Sequence, residues 1–286
     1  MTRIIASLDE IAAGYDALLV DLWGCYHNGL EPYPAAVAAL RRYRAAGGLV
    51  ILLTNAPRPA AGVARFLAGI GAPEDTHDGI MSSGEACQRS MRSGRYGRRF
   101  HYVGPDRDLG MLAEIGLAPA PVEEAEAILL VGLFDDATET PEDYDPQIAA
   151  WRARALPVLC ANPDIIVDRG TERLWCAGAI AQRYEQAGGP VVWYGKPHPP
   201  SYEAAFALLD EVAGRAVPRA RVLAIGDGIH TDVAGGHAQS VDALFITGGI
   251  AAEAMGSDIE NPDPDRLAAF CAAEGQTPRF AMGRFR

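Results

Sequence analysis

The sequence predicts an α/β fold in which a doubly wound parallel sheet is interrupted by an inserted α/β domain. Three observations carry that prediction. Seven short apolar runs recur along the chain, they are continuous rather than alternating, and amphipathic helical stretches separate most of them. A strand that is apolar at every position is covered on both faces, and in a parallel sheet the connecting helices supply the cover. Strand alternating with helix is the pattern of a doubly wound sheet.

The first run, ALLVD at 17–21, ends on an acid, Asp21. The stretch PAAVAALRRYRAAGG at 34–48 opens on proline and closes on a glycine pair, the punctuation of a helix. LVILLTN follows at 49–55 and delivers Thr54 and Asn55 to its end. In mid-chain, AILLVGL (127–133) and PVLCA (157–161) are strand candidates, and strand ends there read VGPD, GLFDD and CANPD. PVVWY at 190–194 runs into Gly195 and Lys196, and PSYEAAFALLDEVAG at 200–214 repeats the helical pattern. RVLAIGD at 221–227 ends on Asp227, with Asp232 five residues on, and ALFIT at 243–247 closes the series. The mid-chain strand ends differ from the others, and Gly and Pro mark the edges of that stretch, SSGEA before it and QAGGP after it. The predicted organisation is a discontinuous core of residues 1–86 and 189–286 with an insert at 87–188.

Composition narrows the field. A chain of 286 residues accommodates one large α/β domain or two ordinary ones. Hydrophobic residues make up 49% and charged residues 22%, the range of soluble globular proteins. No apolar run reaches the ~18 residues of a membrane span, and the N-terminal stretch carries acids and no small-residue cleavage site. The five cysteines are odd in number and lack C-x-x-C spacing, so they read as free thiols of a reducing cytoplasm rather than a zinc site or disulfide framework. A net charge of −12 argues against a nucleic-acid partner but allows a small anion in a local positive pocket. Homo-oligomerisation is left open. Among 25 lysines and arginines there is a single lysine, Lys196, within WYGKPHPP. A turn can retain one lysine by chance, yet lysine supplies a compact point charge where arginine supplies a planar fork.

In doubly wound sheets ligands bind beyond the carboxyl ends of the strands. There the sequence places Asp21, Thr54, Asn55, Lys196, Asp227 and Asp232. Two strand-end acids suit a hard cation such as Mg²⁺, which takes carboxylate oxygen and leaves positions for phosphate. A hydroxyl, backbone N–H groups and a lysine suit phosphate oxygens. Each residue alone has a plainer reading: Asp21 as a loop cap, Thr54-Asn55 as a turn, Asp227-Gly228 as a common turn pair. Four such signals at strand ends in one order are harder to assign to chance.

DLWG, LLTNAP, YGKP and IGDGIHTD resemble, in order, the four motifs of the haloacid dehalogenase-like (HAD) superfamily of phosphohydrolases, and the resemblance covers most of the chain. The insert between the second and third motifs, and ANPD at 161–164 within it, resemble class IIA, the group of nucleotide monophosphatase-, p-nitrophenyl phosphatase- and pyridoxal phosphate phosphatase-like enzymes. The resemblance implies a Rossmann-like core with a cap domain, Mg²⁺ as cofactor and a small phosphorylated metabolite as substrate. It implies that Asp21 attacks phosphorus and forms an aspartyl-phosphate. Thr54 and the Asn55 backbone then bind the phosphoryl group, and Lys196 neutralises its charge. Asp21, the Trp23 carbonyl and Asp227 face the metal, with Asp232 steadying the metal shell or Lys196.

One position departs from the family. Its phosphatases usually carry a second aspartate two residues after the nucleophile as general acid, and here that position is Trp23. An indole N–H is no general acid near neutral pH. Three readings follow: a phosphatase whose substrate needs no strong acid, a phosphatase with a substitute donor in His27, or a catalytically weak or inactive protein that binds a phosphorylated ligand. His27 also has the plain reading of a loop histidine bonded to backbone. Asn162 and Asp164 of ANPD are candidate substrate contacts or simply a turn flanking Pro163. GDGIHTDVAGG lacks the third glycine of a dinucleotide fingerprint, so a dehydrogenase is a weak alternative. His230 and His237 lack further ligands nearby for zinc.

Overall fold

The computed structural model describes residues 2–169 and 172–286. Its strands, in chain order, are β1 (Arg3–Ile4), β2 (Ala17–Val20), β3 (Leu49–Thr54), β4 (Gly79–Ser82), β5 (Phe100–Val103), β6 (Ala127–Leu130), β7 (Val158–Cys160), β8 (Ile166–Arg169), β9 (Glu172–Trp175), β10 (Val191–Trp193), β11 (Val222–Gly226), β12 (Asp242–Ile246) and β13 (Phe280–Met282). All seven apolar runs read from the sequence are strands. Every residue of β2, β6, β7 and β11 is buried, as full cover on both faces requires.

The chain divides into two compact units: residues 1–54, 63–81 and 202–286, and residues 55–62 and 82–201. The first unit holds a seven-stranded sheet in the order β1-β13-β12-β11-β2-β3-β4. From β2 the chain proceeds through β3 and β4 in one direction; β11, β12 and β13 fill the other. The order therefore reverses between β2 and β11, and such a switch point opens a crevice at the strands' carboxyl ends. The helix Pro34–Ala45 has proline in its first turn and buries Ala36, Val37, Leu40 and Tyr43, one stripe at helical spacing. The helix Pro199–Ala213 buries Tyr202, Ala205, Phe206 and Leu209 at the same spacing. On the other side of the switch point, Val233, Phe245, Met255 and Leu267 form a core cluster.

The second unit holds a four-stranded sheet in the order β10-β7-β6-β5, with parallel pairing throughout. Trp151, Tyr144, Tyr184, Ile128 and Leu130 fill its core. The β8–β9 hairpin is antiparallel. The structure differs here from the boundaries expected at 86/87 and 188/189. The strand leading to Lys196, β10, pairs with β7 and not with the seven-stranded sheet, and the helix Ser83–Arg92 also belongs to the second unit. Hydrophobic runs identify strands but carry no record of which sheet completes their hydrogen bonds. Among the described residues, no helix is long and apolar enough to cross a membrane.

Candidate active site

Two groups of the predicted residues are assembled, one in each unit. The first lies at the switch point. β2 and β11 pair in parallel with Val20 opposite Ile225, and the ladder continues one step as Asp21 N–H donates to the Ile225 carbonyl at 2.8 Å. Both strands thus run off the same end of the sheet; Asp21 stands level with Gly226, and Asp227 follows one residue beyond the end of β11. The loop after Asp21 folds back on itself. The Leu22 carbonyl accepts from both Tyr26 N–H (2.8 Å) and His27 N–H (3.0 Å). Gly24 permits this reversal with φ +77°, and any Cβ there would meet Asp227 Oδ2 at 2.1 Å. The turn returns Cys25 toward the strand ends. As a result one ligand atom each from Asp21, Cys25 and Asp227 lies within 4.8 Å of the other two, and all three residues are buried.

Asp227 is held on its other side as well, where Ile250 N–H donates to Oδ2 at 3.0 Å. Two buried carboxylates this close repel each other, and a cation between them relieves the repulsion. The pair fits Mg²⁺ by the chemistry of its donors. The thiol does not, because Mg²⁺ is a hard cation. Asp232 lies outside this group of three. It sits in a wide, π-type turn over Ile229–Val233, and its Oδ2 accepts from Gly228 N–H (3.2 Å) and from the Thr231 hydroxyl (3.1 Å). A Cβ on Gly226 would strike the Asp232 carboxylate, which explains a glycine at the end of β11.

Trp23 turns outward. Its indole is 56% exposed and lies over Gly29, where a Cβ would come within 2.5 Å of the ring. It meets the His27 ring edge-on at 5.7 Å. His27 is buried, flanked also by Phe66 at 5.4 Å, and its Nδ1 accepts from Gly29 N–H at 3.0 Å. Burial pulls its pKa down to about 4. The ring is therefore neutral at pH 7, with its proton on Nε2.

The second group is centred on Asn55. Its side-chain amide reaches across 141 residues to the Lys196 backbone, accepting from Lys196 N–H at 2.7 Å and donating to the Lys196 carbonyl at 3.1 Å. The same Nδ2 donates to Asp164 Oδ1 at 2.9 Å. Asn162 Oδ1 accepts from Asp164 N–H at 3.2 Å, so ANPD is an Asx turn whose acid is engaged inside the protein. Gly195 adopts φ +118°, and a Cβ there would fall 2.4 Å from Pro163 and 2.9 Å from Asn55 Oδ1. Lys196 is buried. Thr54 is the last residue of β3, and Asn55, the next residue, begins the second unit.

His230 and His237 are surface residues, bonded to Glu274 at 2.7 Å and Gln276 at 2.9 Å. Two features escaped the sequence reading. Cys25 is read from the sequence only as a free thiol, although its place four residues after Asp21 in a glycine turn is a signal. The Asn55 side chain carries no local signal, since its partners lie 109 and 141 residues away.

The family profile described as haloacid dehalogenase-like hydrolase matches residues 18–118, and one described as HAD-hydrolase-like matches 193–269. A haloacid dehalogenase-like hydrolase from Brucella suis 1330 is 37% identical, with a TM-score of 0.82 over 99% of this chain and 100% of that one. D-glycerol 3-phosphate phosphatase of Mycobacterium tuberculosis is 29% identical over 247 residues, 85% of this chain and 66% of that protein. The structure of glycerol phosphate phosphatase from the same organism in complex with magnesium is 26% identical. It has a TM-score of 0.66 over 87% of this chain and 73% of that one.

Proposed function

The chain belongs to the haloacid dehalogenase-like hydrolases, and on that premise we propose that it is a Mg²⁺-dependent phosphatase of class IIA type acting on a small phosphorylated metabolite. The observation that carries this reading is the convergence of Asp21 and Asp227, both buried, at the ends of adjacent parallel strands at the switch point. Asp21 attacks phosphorus and forms an aspartyl-phosphate, which water then hydrolyses. The Thr54 hydroxyl and the Asn55 backbone N–H donate to phosphoryl oxygens, and the Lys196 ammonium balances their charge. Asp21, Asp227 and the Trp23 carbonyl would hold Mg²⁺, which would help neutralise the phosphoryl group. Asp232 orders the turn that follows Asp227. The Asn55 side chain fixes the Lys196 backbone, which a reactive amine requires of its support. Likeness to a D-glycerol 3-phosphate phosphatase supports a small phosphomonoester as substrate.

Trp23 sets the chemistry apart. General acid assistance is worth ~10²–10⁴-fold, and neither an indole nor a His27 with pKa about 4 supplies it at neutral pH. The proposed enzyme therefore favours weakly basic leaving groups, such as p-nitrophenolate or an acyl group. The same observation favours a second reading, a phosphorylated-ligand binder without turnover. Phosphate release from an ester panel, with Mg²⁺ and with EDTA, decides between them. Activity that needs Mg²⁺ and vanishes in Asp21→Asn supports the phosphatase. Ligand binding with no release of phosphate from any ester or acyl phosphate supports the binder.

A further inference from the structure

The group at the switch point contains one donor that a magnesium site does not call for. Cys25 is 1% exposed, and its Sγ shares with Asp21 and Asp227 a sphere in which no two ligand atoms are more than 4.8 Å apart. Three donors from two strand ends and one loop can meet around a single ion. Two are hard oxygens, and the third is a soft sulfur. Thiolate sulfur selects borderline and soft cations over Mg²⁺, and Zn²⁺ accepts mixed carboxylate and thiolate donors in tetrahedral sites. The other four cysteines are also buried, but none shares such a group with carboxylates among the described residues. The close approach of Gly24 to Asp227, where any Cβ would collide, keeps the Cys25 loop against the acids.

We infer that Asp21, Cys25 and Asp227 form a mixed carboxylate–thiolate site for a borderline-soft divalent cation of the Zn²⁺ class, which competes with Mg²⁺ and holds the protein inactive. The inference rests on the cation position of the proposed function and adds a regulator to it. On binding, the Cys25 S–H bond breaks, its proton leaves to solvent, and sulfur donates its electron pair to the ion. The ion then occupies the carboxylate oxygen of Asp21, the atom that would attack phosphorus.

The probe is Cd²⁺, a spectroscopic substitute for Zn²⁺, titrated into the full-length, EDTA-treated protein. Wild type is expected to develop a thiolate-to-cadmium charge-transfer band in the ultraviolet that saturates at one equivalent and recedes with excess Mg²⁺. Cys25→Ser is expected to abolish the band and Asp227→Asn to shift its titration to higher Cd²⁺, each with Cd²⁺ affinity at least ~10-fold weaker by calorimetry. Far-ultraviolet circular dichroism checks the fold, and Cys25→Ala serves if the serine variant fails to fold. No band in wild type, a band that persists without Cys25, or a band indifferent to Asp227→Asn would overturn the inference. Phosphate release with Mg²⁺ is measured separately. A protein that gives the band but hydrolyses nothing retains the site and loses the proposed function.

Discussion

The group around Asp21 and the group around Asn55 are built by opposite means. Asp21 and Asp227 directly follow the ends of adjacent parallel strands joined by a ladder of backbone hydrogen bonds, and Ile250 N–H holds Asp227. Neither side chain is needed to bring the other into place. Asn55, Lys196 and Asp164 come from loops, and side-chain hydrogen bonds to Asn55 are what join them. The first group rests on a frame of paired strands; the second is its own frame. Function and stability should therefore separate in the first group and coincide in the second.

The sharpest test of that contrast is Asp21→Asn. Loss of the nucleophile is expected to lower Mg²⁺-dependent phosphate release by ~10⁴-fold or more. The melting temperature in EDTA should hold, because backbone pairing of the strands, and not this carboxylate, carries the frame. A large fall in melting temperature would show that the carboxylate supports the frame. Next in size is Lys196→Arg, expected to cost ~10²–10³-fold in kcat, nearly as much as Lys196→Ala. Kinetics like the wild type would mean that this lysine is an ordinary turn residue.

Trp23→Asp probes the rate from the opposite direction. Wild type is expected to hydrolyse p-nitrophenyl phosphate or an acyl phosphate far faster than glycerol phosphate, and the variant to narrow that gap by ~10-fold or more. The rate series against leaving-group pKa measures it. With the indole 56% exposed, the substitution should cost well under the ~3–5 kcal/mol of a buried tryptophan.

His27 gives the first group a pH signature. Its folded pKa, about 4, lies below the unfolded value near 6.5, so the unfolded chain binds the proton first. The stability from keeping the ring neutral is complete above pH ~6.5 and is lost as pH falls toward 4, by about 3 kcal/mol at most. Urea unfolding should show a shallower decline over that range for His27→Gln than for wild type. The smallest effect belongs to the second group. Asn55→Ala leaves the Lys196 N–H and the Asp164 carboxylate without this partner and should cost ~1–3 kcal/mol by urea unfolding, together with activity. An active-site loss without a stability loss would erase the distinction between the two groups.

What was legible in the sequence follows from the same distinction. The seven apolar runs stood out because strands covered on both faces must be apolar throughout. Asp21 and Asp227 stood out because an acid directly after such a run has few structural reasons to be there. β4 did not, because GIMS mixes Gly and Ser into four residues, and β1 and β13 are two and three residues long. The β8–β9 hairpin went unread beside ANPD. The role of Cys25 depends on a loop that folds back, which a count of cysteines does not see. The Asn55 network joins positions that only the tertiary fold makes neighbours.

Lys196 carries one more consequence. It is the single lysine of the chain, it is buried, and Pro197 follows it. Pro197 hinders tryptic cleavage after Lys196, so a tryptic peptide carries this lysine inside it rather than at its end. Amine-directed cross-linkers meet no lysine on the surface of this chain. A reactive acyl phosphate that acylates this amine would label one defined position with no background from other lysine side chains. The modified peptide, bounded by arginine cleavages, would report occupancy at that point in a whole-proteome digest.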